Sequence, residues 1–281
     1  MVKFGPSGCC EKFLEKYKSV EQMPDWLVKH GLNCFEYAFN KGILLSDEKA
    51  THYGEIFANK NIELTVHAPY FINFANPDDV MAEKSYGYIL KSLEKMKLMG
   101  AKKLVFHPGS LTKQTREKAF SLVLERLSIL SKMLDDYGYD DFYICPETMG
   151  KHGQIGTVEE VAQMCAIDKR YMPTLDFGHI NSFNGGSLKT KQDYIDVFKT
   201  LEKYIGERYK NVHIHFSKIM YGDKGELKHL NYEEDDVYGP DFEPLAQAIK
   251  ELGVNATIIL ESRGEQTYDA VLLKQIFETN K

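Results

Sequence analysis

Asp176 and His179 stand three residues apart in TLDFGHIN (174–181), just past an apolar run. An acid and an imidazole at that spacing are either loop decoration or two groups aimed at one cation. Similar residues close other apolar runs: His67 in VHAPY, His107 in FHPG, Glu147 in CPET and Glu261 in LESRG. The run NVHIHFS carries His213 and His215. One such residue alone means little. Carboxylates crowded at one place would repel one another and resist desolvation unless something such as a divalent cation neutralised them. Imidazole and carboxylate without thiolate fit a hydrolytic zinc site, with manganese or iron as alternatives. More ligands are present than one tetrahedral ion uses. The economical arrangement is two ions sharing a bridging carboxylate, and Glu147 lies at the middle of the series. Two ions ~3.5–4 Å apart suit in-line displacement at phosphorus.

The elements that must position these residues alternate along the chain. Short β-leaning runs occur at 2–5, 33–39, 62–69, 102–109, 141–147, 171–177, 211–217 and 256–262. Helical patterns lie between them, clearest over 79–98 and 115–137. Shorter ones cover 20–29, 47–59, 158–165, 192–204 and 243–251, and a last one, over 269–278, closes the chain. Glycines at 31, 100 and 253 follow helical patterns and precede strands, as the left-handed stop of a helix requires. Eight β-then-α units predict an α/β fold, a (β/α)₈ TIM barrel, with residues 1–281 as a single domain. A doubly wound sheet would show a glycine-rich phosphate fingerprint after the first strand, and GPSGCC (5–10) is not one. In a barrel the chemistry sits at the C-terminal strand ends, where six successive strands here carry a His, Asp or Glu.

Apolar content of 43% and charged content of 27% are those of a globular protein able to bury a core. Net charge of −6 argues against broad nonspecific adhesion to nucleic acid. The five cysteines, irregularly spaced, indicate neither a disulfide framework nor a thiolate zinc site. No run approaches membrane-spanning length, so a cytoplasmic setting without membrane contact is expected, and no obligate protein partner is evident.

HAPY (67–70), FHPG (106–109), PET (146–148), DFGH (176–179), HIHFSK (213–218), HL (229–230) and LES (260–262), in that order, resemble the endonuclease IV family. Those are apurinic/apyrimidinic endonucleases of the xylose-isomerase-like barrel superfamily. The resemblance implies a zinc-dependent DNA-repair phosphodiesterase that cuts damaged double-stranded DNA 5′ to abasic sites. It implies two or three Zn²⁺ ions: one on His67, His107 and Glu147, a second on Glu147, Asp176, His213 and Glu261, a third on His179 and His229. Glu147 and Glu261 are the expected catalytic carboxylates. Tyr70 and Phe71 match a loop that presses into the duplex, although an aromatic beside a strand end more often packs. Of His213 and His215, read as facing opposite ways, His213 takes the metal by the family register.

Two positions depart from the pattern. The aspartate expected two residues before His229 is Leu227, with Glu226 one step earlier, so either Glu226 reaches in or the third site is weak. The arginine expected after strand two is missing, and Lys41 is the only base on that loop. Lys218 reads as one more solvated lysine. The alternative function is a metal-dependent sugar or sugar-phosphate isomerase or epimerase of the same superfamily, with no ligand role for His179 and His229.

Overall fold

The computed structural model describes residues 2–40, 42–234 and 237–279. Eight strands form the barrel: β1 (Lys3–Pro6), β2 (Cys34–Ala38), β3 (Glu63–His67), β4 (Lys103–Phe106), β5 (Tyr143–Pro146), β6 (Thr174–Asp176), β7 (Asn211–Phe216) and β8 (Asn255–Leu260). Their ladders are all parallel. β2, β3, β4 and β5 pair in order, as do β6, β7, β8 and β1. Parallel bridges Ser7↔Glu36 and Ile144↔Tyr171 join the two halves and close the ring. Every strand is therefore covered by helices outside and by side chains inside, which is why the strands read as apolar runs.

The helices follow their local signals. Ser46, Asp78 and Thr115 accept hydrogen bonds from the first-turn amides of Asp47–Ala58, Asp79–Met99 and Arg116–Asp136. Thr157 with Glu160 and Thr190 with Asp193 form reciprocal caps on Val158–Ile167 and Lys191–Ile205. Leu93, Met96, Val123 and Leu127 turn inward from the two longest helices and are buried against the barrel.

Two features outside the simple alternation shape the mouth. A short helix, Phe177–Phe183, starts directly at the end of β6 and takes the last residue of the 171–177 apolar run. After β7 an antiparallel hairpin, Lys218–Gly222 with Gly225–Leu230, rises over the mouth. It carries Glu226 and His229.

At the opposite, N-terminal end, Glu63 accepts from Lys103 at 2.7 Å and from Lys3 at 2.5 Å. Burial alone would raise its pKa, but the charges and hydrogen bonds of Lys103 and Lys3 hold it down at about 2. A carboxyl whose folded pKa lies below its unfolded value stabilises the fold above the unfolded pKa, and that contribution fades as pH falls through the folded one. Glu63→Gln is therefore expected to cost about 2 kcal/mol at pH 7. Urea midpoints should show the gap to wild type narrowing below pH 4.5 and closing near pH 2. A gap that stays constant with pH would remove the ionic explanation.

Candidate metal centre

The C-terminal strand ends converge on Glu147, which is fully buried. Its Oε2 lies 3.2 Å from His67 Nε2, off β3, and 3.1 Å from His107 Nε2, off β4. Its Oε1 lies 3.1 Å from His215 Nδ1 and 3.4 Å from His179 Nδ1. Glu147 thus spans two pairs of imidazoles. Glu261 Oε2 is 3.5 Å from His215 Nδ1, and Asp176 Oδ2 is 3.3 Å from His179 Nδ1.

Asp176 explains the spacing of TLDFGHIN. Its Oδ1 accepts the His179 amide at 2.8 Å and caps the short helix, which turns His179 into the same space. Asp176 Oδ2 is buried and has no hydrogen-bond partner among the described residues.

Glu226 meets this cluster from above. Its Oε2 is 3.4 Å from His179 Nε2 and its Oε1 3.8 Å from His229 Nε2. Residues three apart on a regular strand face opposite ways. The hairpin register, however, shifts between Met220↔Lys228 and Tyr221↔Glu226, which leaves Leu227 as the extra residue of a bulge. Glu226 and His229 consequently share a face, while Leu227 is 62% exposed. Gly150 makes room for them. A Cβ there would stand 2.8 Å from Glu226 Cβ and 2.9 Å from His179 Cδ2. Gly150→Ala is expected to weaken ion binding at this corner about tenfold or more, with the fold retained by circular dichroism. Unchanged zinc affinity would show that the corner tolerates the shift.

At the mouth the donors form three groups able to hold a cation: His67, His107 and Glu147; Glu147, Asp176, His215 and Glu261; and His179, Glu226 and His229; a fourth, Glu36, His213 and His215, lies deeper in the barrel, the ligand atoms within each group lying within 4.8 Å of one another. The backbone carbonyls of Ala68 and Thr148 face His67 Nδ1 and His179 Nδ1, and Ser217 Oγ faces His229 Nδ1. A proton on Nδ1 in each leaves Nε2 as the donor nitrogen. The electrostatics point the same way. Burial lowers the pKa of His67 and His179, yet the neighbouring carboxylates win and raise them to about 9 and about 10. Burial raises that of Glu147, yet the surrounding histidines, His215 foremost, hold it well below the ordinary range. Burial also raises that of Asp176, and there His179 does not reverse it. The site demands positive charge, and a cation would take it over from imidazole protons. The His/carboxylate set, the unpartnered Asp176 oxygen and the closeness of the donors fit divalent ions.

Two expectations need correction. His213 and His215, two apart on β7, share a face, and both point into the barrel with no exposure. They differ in height: His215 pairs in register with Asp176, at the strand ends, and His213 with Thr174, a layer deeper. His213 Nε2 accordingly bonds Glu36 Oε2 at 2.8 Å, and His215 is the residue that reaches Glu147. Lys218 is not solvated: it is 4% exposed, over the Tyr232 ring.

Tyr70 and Phe71, with rings 4.7 Å apart, are half exposed. Tyr70, Asn40 and Lys151 line a cleft of about 260 Å³ that His67, His107, His179, His229 and Glu261 also border. A larger cavity of about 690 Å³ opens at the N-terminal end around Lys3, Glu63 and Lys103, away from this cluster. Lys41 lies outside the described residues. Glu36 went unread in the sequence, although an acid in the middle of the apolar run NCFEYAF was a signal.

A closed ring of eight parallel strands with its chemistry-bearing side chains at the C-terminal ends is a (β/α)₈ barrel. The chain belongs to the xylose isomerase-like TIM barrel family, whose model matches residues 24–276. An uncharacterized protein of Methanocaldococcus jannaschii is 29% identical over 281 residues, 99% of this chain and 97% of that one. The resemblance to endonuclease IV recurs in the relatives. A probable endonuclease 4 of Mycoplasmopsis synoviae is 31% identical over 210 residues, 71% of this chain and 69% of the relative. For that of Staphylococcus carnosus, 31% identical over 164 residues, the match covers 57% of this chain and about half (53%) of the relative. Among solved structures, endonuclease IV from Thermus thermophilus superposes with TM-score 0.70 at 20% identity over 98% of this chain and 99% of that one. A D-tagatose 3-epimerase-like protein does so with TM-score 0.72 at 22% identity over 98% and 96%. Both likenesses are in fold. No helix among the described residues is long and apolar enough to cross a membrane.

Proposed function

We propose that the chain is a divalent-metal-dependent phosphodiesterase that nicks duplex DNA 5′ to abasic sites. The observation that carries this reading is the third ligand group, His179, Glu226 and His229, beside the two built on Glu147. A sugar isomerase with one or two ions has no use for it. His67, His107, Glu147, Asp176, His179, His215, Glu226, His229 and Glu261 would hold two or three ions, zinc foremost by donor type. Bound ions would stabilise the charge of both the attacking and the leaving oxygen of the displacement. Glu147 aligns the imidazoles through both of its oxygens. Glu261, which borders the cleft, would complete the ligand group of Glu147, Asp176 and His215. Lys151, at the rim and 3.7 Å from Glu226, pairs with a DNA phosphate. Tyr70 and Phe71 offer exposed rings on which unpaired bases stack.

The test is a duplex with one synthetic abasic site. Nicking on its 5′ side, insensitive to withdrawal of magnesium but lost on prolonged chelation, is the expected result. An intact duplex would sink the proposal. The epimerase reading has one observation in its favour, the cleft of about 260 Å³, which suits a small sugar. Interconversion of a ketose by a protein that leaves the duplex intact would establish it instead.

A further inference from the structure

Below the mouth cluster, Glu36, His213 and His215 meet inside the barrel, each with no exposure to solvent. A carboxylate sealed there without a task would be costly. Glu36 Oε2 accepts from His213 Nε2 at 2.8 Å and from Thr65 Oγ1 at 3.0 Å. Pinned by these two donors, the carboxylate aims Oε1 at His215 Nε2, 3.0 Å away, in an ion contact rather than an in-line hydrogen bond. The other nitrogen of that ring, Nδ1, faces Glu147 and Glu261. His215 is thus held between a carboxylate behind it and the candidate ligand group in front. A carboxylate behind a ligand imidazole sets which nitrogen carries the proton, turns the ring and strengthens the donor.

We infer that Glu36 is a positioning residue: it holds His215 by Nε2 and presents Nδ1 to the group of Glu147, Asp176 and Glu261. The inference rests on the metal-cluster reading above and names the element that orients its deepest ligand. Glu36, His213 and His215 also stand close enough together to hold an ion, but Glu36 Oε2 already accepts from His213 Nε2 and Thr65 Oγ1, which favours the positioning role.

Titration with Co²⁺ tests this without DNA, so the outcome is independent of whether the protein nicks an abasic duplex. Wild type is expected to bind Co²⁺ with a visible absorption band. Glu36→Ala should bind the ion of the His215 group about 10–100-fold more weakly, with that part of the spectrum changed and the His67–His107 ion unaffected. Glu36→Gln, which keeps an acceptor behind the ring at nearly the same size, should recover part of the affinity. It also carries the test alone if Glu36→Ala does not fold by circular dichroism. Wild-type affinity and spectrum in both variants would overturn the inference, as would a wild type that binds no Co²⁺. Loss of one additional ion in the Glu36 variants, with the mouth spectrum intact, would overturn it in favour of a separate cation site.

Discussion

Glu147→Gln is expected to lower the nicking rate on an abasic duplex by about 10³-fold or more while leaving the barrel folded. Among the described residues Glu147 is the one side chain with ion contacts to His67, His107, His179 and His215. Glutamine fills the same space, so no cavity opens and no strand has to move. It removes one acceptor oxygen and the negative charge on which both carboxylate-centred groups rely. Four imidazoles then face a neutral amide; the carboxylate foremost in raising the His67 pKa is gone, and His179 keeps Asp176 but loses its second raising partner. Steady-state rates with ion counts by mass spectrometry check this directly: turnover and bound metal should fall together. Full activity in the folded variant would remove Glu147 as the shared carboxylate and with it the arrangement proposed here.

The barrel was readable because parallel strands, buried on both faces, keep long apolar runs, and because Gly31, Gly100 and Gly253 all adopt positive φ where helices give way to strands. The convergence of the candidate ligands was readable because a barrel gathers strand ends in one place. Height along a strand was not. His213 and His215 share one face and one residue type, and only the pairing of β7 with β6 says which reaches the mouth. Glu36 was hidden differently. Its partners are 29 and 177 residues away, so nothing local marks the acid as bound. The Phe177–Phe183 helix is short, and its start overlaps the end of the 171–177 apolar run, while the cap that starts it is also a candidate ligand.

Glu226 and Leu227 give the sharpest contrast between pattern and geometry. By position in the chain Leu227 stands where the resemblance expects an aspartate; the bulge instead turns Glu226 to the face of His229. Glu226→Ala is accordingly expected to remove one bound ion and to slow nicking about 10²-fold, because His179 and His229 lose the carboxylate between them. Leu227→Ala, at an exposed side chain, should change stability by no more than about 0.5 kcal/mol and leave the ion count unchanged. Deleting Leu227 probes the bulge itself. With the extra residue gone, Glu226 would fall two before the histidine, the spacing at which residues of a regular strand share a face. Ion binding should then survive in part, and better than in Glu226→Ala. If the deletion loses the ion as completely as the alanine does, the bulge is needed for more than the facing of Glu226, and the hairpin's height over the mouth becomes the controlling feature.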